Sequence, residues 1–119
     1  MLVEGIHHVA VIVTNVNASR DFYEKAFGLV PIPRLTESIS KNRGAWFRVG
    51  ALELHLQERS DSVQKTEQHL ALLTTDLEEL VRRVEAHGGR SQEAKIIAGF
   101  KKRRFVYDPD DNRIELLER

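Results

Sequence analysis

The chain has 119 residues, enough for one compact domain or two small halves that share a core. Its 18 basic and 18 acidic residues cancel, which excludes nucleic-acid binding through bulk charge, and the absence of cysteine excludes disulfides, thiolate metal sites and cysteine nucleophiles. With 41% hydrophobic residues, 7 Gly and 3 Pro, there is no low-complexity segment, and no apolar run approaches the ~18 residues of a membrane span. No signal-peptide pattern precedes the first strand, so the expected location is the cytoplasm.

Residues 6–13, Ile-His-His-Val-Ala-Val-Ile-Val, are β-branched and apolar and predict a buried strand. Thr14-Asn15 offers a turn and a helix N-cap. Val16, Phe22, Tyr23 and Phe27 then fall near helical spacing, with Gly28 as the stop. Residues 29–33 predict a short strand, and Pro31 and Pro33 put it at an edge. A polar loop is expected from Thr36 to Arg43. Ala45–Val49 and Ala51–Gln57 read as two strands joined around Gly50, and residues 58–67 form a polar connector.

The pattern then restarts. His69-Leu-Ala-Leu-Leu-Thr-Thr-Asp-Leu repeats the character of His8-Val-Ala-Val-Ile-Val-Thr-Asn-Val, 61 residues later. Asp76 to His87 is amphipathic through Leu77, Leu80, Val81 and Val84 and ends at Gly88-Gly89. His87 reads as a helix-end residue whose charge suits the C-terminal dipole. A short strand is expected around 94–98, a loop at Gly99, and a strand over 103–107. The turn Asp108–Asn112 and a closing strand from Arg113 to Glu118 follow. Each half therefore reads strand, helix, strand, strand, strand. The predicted fold is α+β: two βαβββ modules forming a paired, half-open mixed β-sheet cavity with flanking helices. They make a single domain, with module 1 over about 4–57, a linker over 58–67 and module 2 over about 68–118.

The repeat superimposes polar residues that a buried strand would not otherwise carry. His8 and His69 occupy the same place in the opening strands. Leu54-His55-Leu56 parallels Ile114-Glu115-Leu116, which sets His55 opposite Glu115. An imidazole or carboxylate among apolar neighbours is costly unless it is paired or ligates a metal. Imidazoles with one carboxylate suit a borderline divalent ion, Zn, Ni, Co, Mn or Fe. Four protein ligands in a six-coordinate sphere leave two positions for a substrate with two adjacent oxygens. The expected metal ligands are His8, His55, His69 and Glu115.

These residues resemble the vicinal oxygen chelate superfamily, the group of glyoxalase I, fosfomycin-resistance, bleomycin-resistance and extradiol dioxygenase proteins. The resemblance covers nearly the whole chain. It rests on His8 to Val16 with Phe22-Tyr23 and Phe27-Gly28-Leu29, on His69-Leu-Ala-Leu with Asp76-Leu77, and on Phe105-Val-Tyr-Asp-Pro-Asp-Asp-Asn-Arg-Ile-Glu115. It implies His8, His69 and Glu115 as ligands and a variable fourth position. His55 is the choice there because its flanks match those of Glu115. Glu53, on the same strand face, competes, and His7 points to the other face. Where the family usually has Gly in the closing turn this chain has Asp111, a residue that tolerates positive φ better than most. The resemblance also implies a homodimer. In many members the two modules of one site come from different subunits.

Alternation puts Arg103, Phe105 and Tyr107 on one face. If that face looks into the cavity, Tyr107 can donate a hydrogen bond to a substrate oxygen and Arg103 can bind an anionic group; Lys101 and Lys102 are expected in a solvated loop. Trp46 and Phe47 face opposite ways, so one lines the pocket and the other packs beneath the helices. The expected function is a metal-dependent small-molecule enzyme of the glyoxalase type: a lyase, isomerase or transferase. Glu115 would serve as ligand and general base, and the metal as Lewis acid. The alternatives are a non-catalytic binder of the bleomycin-resistance type and a metal-holding domain with a regulatory or structural role. Ring-cleaving dioxygenase activity is disfavoured because His55 would fill an open position.

Overall fold

The computed structural model describes residues 2–35, 43–59, 61 and 65–119. Within them the chain runs β1 (His8–Val13), α1 (Val16–Lys25), β2 (Val30–Ile32), β3 (Gly44–Val49) and β4 (Leu52–Glu58). It continues through β5 (Leu70–Thr74), α2 (Leu77–Ala86), β6 (Arg90–Glu93), β7 (Lys102–Tyr107) and β8 (Arg113–Glu118). The four strands of each half make one mixed sheet, in the order β1-β4-β3-β2 and β5-β8-β7-β6. β1 runs parallel to β4 and β5 parallel to β8, while the remaining pairs are antiparallel. The two βαβββ modules expected from the repeat are therefore present. The loop expected over 36–43 lies outside the described residues except Arg43, as do parts of the 58–67 connector.

Local chemistry explains the boundaries. Asn15 caps α1 by accepting from the Ala18 N–H at 3.0 Å, and Asp76 caps α2 by accepting from Glu79 at 3.1 Å. His87 ends α2 as expected. β1 begins at His8 rather than Ile6 because its partner β4 starts only at Leu52, after the Gly50 turn, and Ile6 stands exposed. Lys102 belongs to β7, not to a solvated loop, and binds Glu78 of α2 at 2.9 Å.

One strand was misplaced by its polarity. The strand expected at 94–98, drawn there by Ile96 and Ile97, lies instead at Arg90–Glu93, and both isoleucines are exposed. β6 is an edge strand paired with β7 alone, so its polar Arg-Ser-Gln-Glu sequence meets water without penalty. The turn into it requires glycine. A Cβ on Gly89 would sit 2.5 Å from the Tyr107 carbonyl oxygen and 2.6 Å from Val84.

Strand alternation sends one face of each sheet inward. Val9, Val11 and Val13, with Ala45, Phe47, Leu54 and Leu56, meet Val106, Ile114 and Leu116 of the other sheet in one apolar cluster. α1 contributes Val16, Phe22 and Tyr23, and α2 contributes Leu77, Val81 and Val84. Each such side chain fully withdrawn from water contributes roughly 1.5–3 kcal/mol.

The modules are joined by a buried carboxylate. Asp108, 2% exposed, accepts from the Tyr23 hydroxyl at 2.8 Å and from Asp110 N, Asn112 N and Asn112 Nδ2, each at 2.9 Å. Asn112 also donates to the Ile12 carbonyl, and Thr14 holds Asp110. Burial pushes the Asp108 carboxyl up, against these bonds, and pushes the Tyr23 phenol well up, helped by Asp108. Asp111 takes φ 64° within this turn, the positive angle anticipated for it. Tyr23→Phe is expected to cost about 1–3 kcal/mol in urea unfolding, because it strips a donor from a buried charge. Thr14→Val, at an exposed bond, is expected to cost less than about 1 kcal/mol. Equal losses would overturn this account.

Candidate functional site

The faces turned away from the apolar interior carry the polar residues of the repeat. On the first sheet the register aligns His8 with Glu53 and Trp46 with His55. On the second, Ala71 lies beside Glu115, Phe105 beside Glu115, and Tyr107 beside both Arg113 and Arg90. Since Val9 aligns with Leu54 and Leu70 with Ile114, the equivalence of His55 with Glu115 holds in three dimensions, and the equivalent of Glu53 is Arg113.

The second module brings an imidazole and a carboxylate face to face. His69 donates from Nδ1 to the Glu67 carbonyl at 2.8 Å, which turns Nε2 toward Glu115 Oε1, 2.9 Å away. A ring N–H anchored on a backbone carbonyl is the usual outer support of a metal-binding histidine. Glu115 is 8% exposed, and its Oε2 accepts from Arg103 Nε at 2.7 Å. That guanidinium holds the carboxyl below its ordinary range, with His69 adding to the effect against burial. The donor pair thus fits a divalent metal: an ionised carboxylate and a fixed imidazole nitrogen facing each other, with the second carboxylate oxygen already neutralised.

The first module arranges its rings by stacking. His55, 5% exposed, lies between Trp46, with ring centres 3.9 Å apart, and His8, 4.0 Å apart. Its Nε2 meets Glu53 Oε1 at 2.8 Å, so the two rivals for the fourth ligand position are bonded to each other. Burial lowers the His55 pKa, while the bond from His55 lowers that of Glu53. His8 is exposed, with its Nδ1 3.0 Å from Nδ1 of His7. Trp46 lies on this polar face and Phe47 in the core, as alternation requires.

The chain brings His8 to His55 and His69 to Glu115, and no hydrogen bond, ion pair or ring contact among the described residues joins the two pairs. Among the described residues no three His, Asp or Glu side chains gather closely enough to hold a metal. Tyr107 donates its hydroxyl proton to Gln92 at 2.7 Å and accepts from Arg113 at 3.2 Å, so that proton is committed within the protein. Arg103, expected to meet an anion, is held by Glu115 and by the Lys95 carbonyl. The residue that sequence reasoning missed is Arg113. Its place two residues before Glu115 signalled a shared face, but its stacking depends on cross-strand register.

The depressed Glu115 pKa stabilises the fold fully above the ordinary carboxylate value, and this stabilisation is lost as pH falls through the depressed one. Arg103→Met is therefore expected to move the Glu115 titration, read by side-chain carbon NMR, upward toward the ordinary range. An unmoved titration would show that Arg103 is not the cause.

Comparison with known proteins agrees with the two-module fold. A sequence model of the Glyoxalase/Bleomycin resistance protein/Dioxygenase superfamily matches residues 5–116. A glyoxalase family protein from Bacillus anthracis superimposes with TM-score 0.83 at 27% identity, covering 99% of this chain and 97% of its own. The fosfomycin resistance protein FosX from Listeria monocytogenes, as a point mutant with Mn(II) and 1S,2S-dihydroxypropylphosphonic acid, gives TM-score 0.83 at 21% identity, covering 98% and 93%. FosX from Mesorhizobium loti gives 0.76 at 20%, covering 98% and 92%. Below 25% identity the likeness concerns the fold. No curated protein matches the sequence. No helix among the described residues is long and apolar enough to cross a membrane. The chain belongs to the glyoxalase, bleomycin resistance protein and dioxygenase superfamily.

Proposed function

We propose that the protein is a metal-dependent, glyoxalase-like enzyme acting on a small molecule in the cytoplasm, as a lyase, isomerase or transferase. The observation that carries this reading is the His69–Glu115 pair, whose imidazole is anchored through Nδ1 on Glu67 and whose carboxylate is held ionised by Arg103. His8, His69 and Glu115 would hold the ion, with His55 at the fourth position once its bond to Glu53 is exchanged. A divalent ion bound there supplies Lewis acidity to two adjacent substrate oxygens. Glu115, with its depressed pKa, favours the role of ligand over that of base. Trp46 forms an aromatic wall on the His55 side.

The site is completed by a second copy, His8 of one chain meeting His69 and Glu115 of the other. Two features support this. The pairs do not meet within one chain, and the edge strand β5 exposes Leu73, 57% accessible, on the face that carries His69. An apolar, unprotected edge strand is a liability for a monomer. The single-domain layout, with modules over about 4–57 and 68–118, would then serve to trade halves between copies.

A non-catalytic binding protein is the second reading, favoured by the way Arg103 and His69 satisfy both Glu115 oxygens by themselves. One experiment separates the two. His8→Ala and Glu115→Ala are each expected to abolish stoichiometric metal binding by calorimetry. Mixing the two variants through unfolding and refolding is expected to restore about one quarter of the sites, since half the dimers formed carry one intact site of two. Unchanged isotherms in the single variants would remove the metal reading. Lost binding with no restoration would remove the shared site.

A further inference from the structure

The polar face of the second sheet carries three arginines, Arg90, Arg103 and Arg113, and they are not equally engaged. Arg90 binds Asp111 Oδ1 at 3.2 Å. Arg103 binds Glu115 Oε2 at 2.7 Å. Arg113 has no carboxylate partner among the described residues. Its Nε donates to the neutral Tyr107 hydroxyl at 3.2 Å, and its guanidinium lies over the Phe105 ring, 4.7 Å from the centre, and 5.8 Å from that of Tyr107.

That environment fixes the group without neutralising it. The Tyr107 hydroxyl can accept from Arg113 because its own proton goes to Gln92 Oε1 at 2.7 Å. Arg90 caps the other aromatic ring, 3.8 Å from the Tyr107 centre. Stacking on two rings and one hydrogen bond through Nε hold the planar fork, while its terminal amino groups keep their donors for something else. A half-buried guanidinium in this state favours a planar or tetrahedral oxyanion that can take two parallel hydrogen bonds. Three cations against the carboxylates of Asp111 and Glu115 leave this row with a net positive charge.

Position gives the site its meaning. Arg113 and Glu115 are two residues apart on β8 and share a face, and the register that pairs Leu70 with Ile114 sets His69 next to Arg113. A groove of about 520 Å³ between β1 and the starts of β5 and β8 is lined by both His69 and Arg113.

We propose that Arg113 is the anion-binding residue of this site, and that the substrate carries a carboxylate or phosphate-type oxyanion beside the two oxygens that would meet the ion held by His69 and Glu115. Arg103, engaged with Glu115, positions the ligand carboxylate and does not bind substrate. The inference rests on the proposed metal-site reading only for the placing of the anion beside the metal; the anion site itself stands on Arg113, Tyr107 and Phe105. Its probes are inorganic phosphate and acetate, titrated into the protein as purified and again after chelator treatment. The readouts are calorimetry and the arginine Nε–H resonances. Saturable binding by at least one of them, in both preparations, is expected, with a shift at the Arg113 resonance. Arg113→Met, which keeps the stacking bulk, is expected to weaken binding roughly tenfold or more. Arg113→Lys, which keeps charge but not the fork, is expected to fall between. The metal isotherm of Arg113→Met is expected to match the parent, which separates this result from failure of the metal reading. The proposal is overturned if neither anion binds saturably, or if Arg113→Met binds as the parent does.

Discussion

A strand has two faces, and in this chain the need to bury one of them decides where everything else goes. Val9, Leu54, Phe47 and Ile114 turn inward to a shared apolar cluster with the two helices. Their neighbours His8, Glu53, His55, Trp46, Arg113 and Glu115 are thereby forced onto the opposite faces. A slip of one residue in β1 or β8 would exchange the two sets, placing an imidazole or a carboxylate in the core. The register is held on the module 2 side by the closing turn, where the Asp108 carboxylate gathers four donors and Asn112 reaches back to β1. Site and core are two results of one constraint.

Because the order and polarity of these faces follow from period-2 alternation, most of the fold was legible in the residues. The repeat of His8-Val-Ala-Val in His69-Leu-Ala-Leu gave the two modules, and the Asn15 cap and the amphipathic run from Asp76 gave the helix starts. The match of His55 with Glu115 came from flanking residues, and the strand register upholds it. What failed was an edge. Hydrophobicity marks strands that bury a face, so it pointed to Ile96-Ile97 and passed over Arg90–Glu93, which needs only the hydrogen bonds of β7.

Side-chain partners across strands were the other illegible layer. Alternation placed Arg103, Phe105 and Tyr107 together but could not say which guanidinium would reach Glu115. Arg103 starts one row farther along β7, opposite Leu117, and still reaches the carboxylate because its long side chain folds back over Phe105. Arg113 is nearer along the chain, yet it lies over the rings and points its Nε at Tyr107. Length and stacking, not distance along the chain, decide which guanidinium meets the carboxylate.

The two halves of the repeat have also diverged in kind. In the first module the equivalent positions hold Trp46, His55 and Glu53; in the second they hold Phe105, Glu115 and Arg113. One half is a stack of three rings bonded to the Glu53 carboxylate, in which burial works against charging His55. The other is an ion-pair array, in which Arg103 keeps Glu115 charged. A duplicated pair of identical halves would offer matching ligands and a symmetric cavity. Here the first half sets two imidazoles and an indole around Glu53, and the second sets one imidazole and two guanidinium groups around Glu115 and Phe105. In the site proposed above, a small molecule lying between the two kinds of half would meet different chemistry at its two ends, which would fix its orientation as well as its position.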